Sequence, residues 1–400
     1  MRFGVDTIVR LNIMRVLYDY QAFVWSKYAG IPRYFSQLIQ AYDNCDDIEA
    51  IVPDFYTISE DYRCLGYRKK HIMDKVWDFG IRDGVIQTSL NLFNKNPTKL
   101  LCTPGAERAS IKKILNEDFD LFHPTHFSPY FLKYIGEKPY VLTIHDLSVE
   151  IYPEYVSLSI DLRKNTEIVA KNAAGFIADS ENTKRCFEEY YDVDSELITT
   201  IHLAPTFDKK WVDEILKSTQ PTISKKPYFL FVNMRPGRKN CYTLVNAIRK
   251  ILVERDMELI CVGGGPFTRE EKIFLRDSGV FDRVTQCTVS NEELYKLYKS
   301  AVAFLYPSVD EGFGLPILEA FACGCPVVLS NVSCFPEIAG DAGLYFNPKS
   351  IGSIREAVYG ILDDEKLRDS MRKKGYKQLE KFSWKKCADE TRKVYEKATE

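Results

Sequence analysis

The chain has 400 residues, 45% hydrophobic and 28% charged, with 54 Lys and Arg against 56 Asp and Glu. That length exceeds one typical core and suits two. A net charge of -2 gives the whole chain no pull toward nucleic acid, and no apolar run approaches the ~18–20 residues that span a bilayer.

The first residues, Met-Arg-Phe-Gly-Val-Asp, lack the apolar stretch of a signal peptide, and Met14 is read as a start. Met14 to Tyr20 is predicted as a strand, followed by a turn at Ala29-Gly30 and a helix from Pro32 to Ala41. Further strands are expected at Glu49–Val52, Asp120–Phe122, Tyr140–Ile144 and Gly175–Ala178, with helices at Ser157–Asn172 and Glu181–Tyr190. Apolar strands alternating with helices indicate a parallel sheet covered on both faces. Residues 204–227 carry Pro205, Pro221 and Pro227 and read as an interdomain linker.

The alternation then restarts. Strands are expected at Tyr228–Val232, Glu258–Val262, Arg283–Cys287, Ala301–Tyr306 and Pro326–Leu329. Helices are expected at Thr243–Glu254, Arg269–Ser278 and from Asn291, with a glycine turn at Gly263–Gly265. The tail from Ser350 is helical, and Ser383 reads as the N-cap of a last helix. The expected fold is α/β: two Rossmann-like doubly wound domains facing a cleft, 1–205 and 206–382, with helix 383–400 completing the first. The eleven cysteines contain no Cys-x-x-Cys pair, which fits reduced, buried thiols in a cytosolic protein.

Asp310-Glu-Gly-Phe-Gly-Leu-Pro-Ile-Leu-Glu319 carries the strongest signal. Gly312 and Gly314 permit backbone angles and close approaches closed to other residues. Pro316 suits a first helical turn, so the N–H groups of Phe313, Gly314 and Leu315 are expected to face a diphosphate. Glu319, in that first turn, suits a ribose diol, and Glu311 suits hydroxyls of a transferred sugar. The loop Asn233-Met-Arg-Pro-Gly-Arg-Lys-Asn240 places Arg235, Arg238 and Lys239 before a helix, where cations are unfavourable unless an anion meets them. Fixed cations there stabilise the charge that builds on a departing pyrophosphate.

His145 and Asp146 end an apolar strand, where α/β proteins place their chemistry; the imidazole suits a sugar hydroxyl or a phosphate oxygen. Gly30 allows a ligand near the first loop. His123 and His126 are read as acceptor-side contacts. Asp118/Asp120 and Asp192/Asp194 are too ordinary to count as metal pairs, and no metal is expected. Residues 63–113 hold eleven Lys and Arg against four Asp and Glu, with Trp77, Phe79, Leu92 and Phe93, a pattern read as a face for anionic lipid.

From Met14 onward the chain resembles the retaining glycosyltransferases of family 4, which have the GT-B fold. The likeness rests on Glu311-x7-Glu319, Gly237-Arg-Lys-Asn240, His145-Asp146, Gly30-Ile-Pro-Arg-Tyr34 and Ala178-Asp-Ser-Glu-Asn-Thr183. It implies metal-free transfer of a sugar from a nucleotide diphosphate with retention at the anomeric carbon, by front-face attack. Lys239 and Arg238 would hold the diphosphate, with Arg235 an alternative to Arg238; Glu319 would hold ribose, Glu311 the sugar, and His145 a hydroxyl near the reacting carbon. Cys287 and Thr288 stand where a glycine and an aromatic often meet the base. The expected protein is a cytoplasmic hexosyltransferase, with mannose favoured, using a UDP- or GDP-sugar and no other cofactor. Its acceptor would be a saccharide or lipid-linked saccharide, with peripheral contact at the inner membrane face. The alternatives are a nucleotide-sugar 2-epimerase and a non-catalytic nucleotide-sugar-binding scaffold.

Overall fold

The computed structural model describes residues 13–24, 30–43, 45–55, 59, 97–116, 118–155, 159–206, 209–217 and 224–400. Its strands are short, parallel and mostly buried on both faces, so apolar side chains run through them without alternation. In the N-terminal half, β1 (Met14–Tyr18) lies between β2 (Ile48–Ile51) and β3 (Leu121–His123). β4 (Val141–Ile144), β5 (Gly175–Ala178) and β6 (Ile198–Thr200) form a second row, joined to the first by a parallel bridge between Phe122 and Tyr140.

The C-terminal half is one six-stranded sheet, ordered β12-β11-β10-β7-β8-β9. Here β7 is Tyr228–Val232, β8 Glu258–Val262 and β9 Val284–Cys287. β10 is Ala303–Tyr306, β11 Val327–Ser330 and β12 Gly343–Phe346. The winding reverses between β7 and β10, which opens a crevice at the carboxyl ends of those two strands.

The 204–227 stretch is not all linker. Lys209–Lys217 is a helix whose Trp211 ring sits 5.3 Å from Tyr295 and whose Val212 is fully buried. Trp211, Val212, Ile215 and Leu216 form one apolar stripe, which the flanking prolines mask in the sequence. The strands β6 and β12 were also not anticipated; both are edge strands of three or four residues. The basic aromatic stretch falls outside the described residues from 63 to 96, including Trp77, Phe79, Leu92 and Phe93; residues 97–113 lie in the helix Pro97–Asn116. Among the described residues no helix is long and apolar enough to cross a membrane.

The last helix, Trp384–Thr399, capped by Ser383, leaves the second sheet and packs on the helix Gly30–Tyr42 and on β5. Its Tyr395 hydroxyl meets Nδ1 of His123 at 2.6 Å and the Tyr18 hydroxyl at 2.9 Å, while His123 Nε2 meets Thr143 at 2.9 Å. His123 is therefore a satisfied core group, not an acceptor contact. Burial pushes its pKa down to about 3, with His145 adding to the effect. The unfolded chain binds this proton more readily than the native one, so stability rises with pH across that interval.

We predict that native protein loses stability as pH falls from about 6.5 toward about 3, with His123 contributing a slope of up to about 1.4 kcal/mol per pH unit. Denaturant titrations of wild type and His123→Gln at several pH values check this. The variant should be less stable at neutral pH but flatter in acid, and parallel curves would remove His123 as the cause.

Candidate functional site

A cleft of about 710 Å³ lies between the two halves, walled by the carboxyl ends of β4, β5, β7 and β10. Its floor is the turn after β10. Gly314 caps the helix Leu315–Ala322 in the left-handed region, φ 92°, with Pro316 in the first turn. Gly312 serves close approach and not an unusual backbone angle: its φ is not positive, but a Cβ there would collide with the carbonyl oxygen of His145, so the group that approaches is backbone of the other half rather than a ligand. The turn of one half thus touches the backbone of the other.

The turn is gripped on both sides. From behind, Ser333 Oγ donates to Glu311 O at 2.7 Å and accepts from Glu311 N at 3.1 Å, and the Cys334 thiol reaches Glu311 O and Phe313 O. From across the cleft, Ser180 and Thr183 donate to Gly312 O at 2.7 and 3.1 Å. Glu337 extends this clasp by accepting from Glu181 N at 2.9 Å and meeting His202 Nε2 at 2.6 Å.

The cations converge as the loop spacing suggested, though one is diverted. Lys239 Nζ donates to Glu311 Oε1 at 2.6 Å, and Asn233 donates to the same oxygen at 3.1 Å. Arg238 lies 3.6 Å from Glu311 Oε2 and donates to Asp146 Oδ2 at 3.2 Å and Asp310 O at 2.9 Å. Asn240, at φ 59°, anchors the loop by donating to Pro307 O and Pro348 O. Burial works against the Arg238 charge, but Asp146, Glu311 and Asp310 outweigh it and raise its pKa. Burial likewise raises Asp146, yet Arg238, the Ser148 hydrogen bonds and Lys239 leave its carboxyl below the usual range. Arg235, by contrast, turns away from the cleft. It bonds Glu271 at 2.7 Å and the carbonyls of Gly263, Gly264 and Gly265, and only 3% of it is exposed. Its fork holds a glycine turn instead of facing the cleft.

Glu319 falls in the second helical turn, not the first, and is 4% exposed. It lines the cleft while accepting from Thr206 at 2.9 Å, Arg33 at 3.3 Å and Tyr298 at 3.3 Å. About four lone-pair positions exist on a carboxylate, so a ribose diol would have to share or displace these donors. His145 lines the cleft with Nδ1 2.8 Å from Asp179. Gly30 starts its helix beside the cleft, and a Cβ there would meet nothing within 4 Å. Phe313 and Leu315 line the cleft. Thr288 does not: Val289, Ser290 and Asn291 hold that part of the wall.

Among the described residues no group of three His, Cys, Asp or Glu side chains is placed to hold a metal. Asp120 instead accepts from Arg15 N at 2.7 Å, and Asp194 caps a short 3-10 helix. Sequence reasoning missed Asn233, Arg33, Thr206 and Glu337. Each acts across a large sequence separation, and only Arg33 and Asn233 sat inside a quoted motif. It also missed Asp19 at the end of β1. This buried carboxyl accepts from Gln21, Thr125 and Tyr130 and shapes the loop bearing His126 and Phe127.

Two family models match the chain: Glycosyltransferase Family 4 over residues 73–204 and Glycosyl transferases group 1 over residues 213–378. The O-antigen chain mannosyltransferase B of Escherichia coli is 30% identical over 266 residues, 64% of this chain and 69% of that protein. The O-antigen chain mannosyltransferase RfbU of Salmonella typhimurium is 30% identical over 231 residues, 58% of this chain and 62% of that protein. Among solved structures, the sucrose-phosphate synthase of Thermosynechococcus elongatus superposes with a TM-score of 0.69 at 19% identity, covering 96% of this chain and 98% of its own. Anabaena Alr3699/HepE, solved in complex with UDP and glucose, gives 0.68 at 15% identity, covering 96% of this chain and 99% of its own. These two likenesses show the fold.

The Gly312 contact gives a sharp test. In Gly312→Ala the new methyl must push the His145 carbonyl away, so the halves cannot close as they do here. We expect a loss of roughly 1–3 kcal/mol or more in unfolding free energy and a larger radius of gyration by small-angle scattering. A variant with native stability and dimensions would show that the contact is not tight in solution.

Proposed function

This chain belongs to the glycosyltransferases of family 4 and group 1 and is a hexosyltransferase of the GT-B fold, and on that premise we propose that it transfers mannose from GDP-mannose to a saccharide acceptor, with retention and without a metal. The donor sugar is suggested by relatives named as O-antigen mannosyltransferases. The same names suggest a growing, lipid-linked surface polysaccharide as acceptor and hence work at the cytoplasmic membrane face.

The observation that carries the mechanism is the pairing of Lys239 and Arg238 with Glu311 beside the Gly312–Gly314 turn. In this reading the phosphate oxygens take the two cations, together with the free N–H groups at the start of the helix Leu315–Ala322. Glu311 then turns to sugar hydroxyls. The bond from the anomeric carbon to the leaving phosphate oxygen breaks while the acceptor oxygen bonds that carbon on the same face. The acceptor proton moves to the departing phosphate, and the fixed cations stabilise the charge that develops there.

The test is transfer from GDP-mannose to a mannose-terminated oligosaccharide in EDTA, with the anomer of the product read by NMR. Full activity and an α-linked product are expected. Dependence on added magnesium, an inverted anomer, or epimer released without an acceptor would each overturn the reading. Lys239→Ala should lower kcat by about 10²-fold or more, and an unchanged rate would remove it from the leaving-group role. Glu319→Ala should weaken GDP binding by roughly 1.5–3 kcal/mol, measured by calorimetry on protein shown to be folded; unaltered affinity would place the ribose elsewhere.

A further inference from the structure

His145 and Asp179 are the residues that follow β4 and β5, whose ends Ile144 and Ala178 are paired in register. The sheet therefore sets the two side chains next to each other at its carboxyl edge. His145 Nδ1 lies 2.8 Å from Asp179 Oδ2, and Asp179 is 3% exposed. The rings of Tyr34 and Phe35 meet the imidazole edge-on at 5.0 and 5.9 Å and fix its plane. Its other nitrogen, Nε2, is buried without a partner among the described residues, although the residue lines the cleft. A buried ring nitrogen left unpaired is unfavourable, so it is a position where a ligand atom has something to gain.

Burial raises the Asp179 pKa, while its contact with His145 favours the ionised form; as a carboxylate it only accepts hydrogen bonds, so Nδ1 carries the proton in this pair. In the neutral ring Nε2 is then an acceptor. We propose that Asp179 is a positioning residue for His145: it holds the ring in the Nδ1–H tautomer, so that Nε2 accepts a hydrogen bond from a hydroxyl of the sugar half of the donor and offers no N–H to the phosphates. The inference rests on the donor reading above. Asp179 also lines the cleft, with Oδ1 buried and unpaired among the described residues; the role proposed for it is the one exerted through the imidazole.

The experiment uses the full chain labelled with 15N-histidine. It has five histidines, and His145 is assigned from the signal lost in His145→Gln. The wild-type ring should be neutral and protonated on Nδ1 at pH 7.5. In Asp179→Asn the tautomer should shift toward Nε2–H, and Asp179→Glu should restore the Nδ1–H form. Calorimetry with GDP-mannose and with GDP then reads the consequence. Asp179→Asn should lose about tenfold in affinity for GDP-mannose and keep its affinity for GDP.

A wild-type ring protonated on Nε2, or on both nitrogens, overturns the proposal without any variant. An unchanged ratio of the two affinities in a folded Asp179→Asn protein overturns it as well. Wild-type protein that binds neither compound overturns the donor reading instead, and the tautomer still decides the role of Asp179.

Discussion

The approach of Gly312 to the carbonyl of His145 is the constraint from which the site takes its shape. The two backbones meet with no side chain between them. Any Cβ would hold the halves apart, and every contact that crosses the cleft would lengthen with it. Those contacts include the Ser180 and Thr183 bonds to Gly312 O, the Arg238 bond to Asp146, the Arg33 bond to Glu319 and the Glu337 contacts with Glu181 N and His202. One buried apolar cluster runs from Val16 and Tyr34 through Leu203 and Tyr298 to Phe313 and Tyr395, so the halves also share a core. The absence of a methyl group at one position lets these polar and apolar contacts coexist.

Within that geometry the charges are balanced against one another. Lys239 and Arg238 face Glu311, Asp146 and Asp310 in a partly buried space. Burying cations beside carboxylates is weakly stabilising at best, because desolvation offsets attraction. What the pairing provides is order: the cations are held in place at the cleft. Phosphate oxygens offer these cations the same kind of charge-assisted, bidentate contact that the carboxylates do. An anionic ligand that took these cations would have to leave Glu311 another donor, since an unpaired buried carboxylate is costly.

The fold was legible because parallel strands buried on both faces read as apolar runs. Tyr228–Val232, Glu258–Val262 and Gly175–Ala178 have the bounds that their hydrophobicity predicts. Ile198–Thr200 and Gly343–Phe346 were missed; each has a single buried residue and so no apolar run to read. At the site, residues within one loop were legible as a group, since spacing alone puts Arg238 and Lys239 at one helix entrance. Their directions were not. Arg235 and Arg238 look equivalent in sequence, yet Glu271 lies 36 positions away and captures the first. Likewise nothing near Gly312 in the chain announces His145, and nothing near Glu319 announces Thr206. Contacts of that range come from the topology, and the linker prolines hid even the helix Lys209–Lys217 that packs beside them.

The crossings between the halves sit at the Glu319 end of the cleft, and this couples their geometry to the site. The chain passes into the second half at Pro205 and Thr206 and returns at Phe382 to Trp384. The two passes are tied, because the Trp384 indole donates to Pro205 O at 2.9 Å. Phe382 lies 6.0 Å from Phe313 and 5.6 Å from His202, and Thr206 donates to Glu319. A rotation that parts Gly312 from His145 must pivot at these crossings, so it also moves Arg33 relative to the Glu319 carboxylate. Of the donors to Glu319, Arg33 reaches it from the other half, so that one bond depends on how far the cleft has shut. A ligand that needs Glu319 and the glycine turn together gains most when the halves are closed, which gives its binding energy a direct route to closing them.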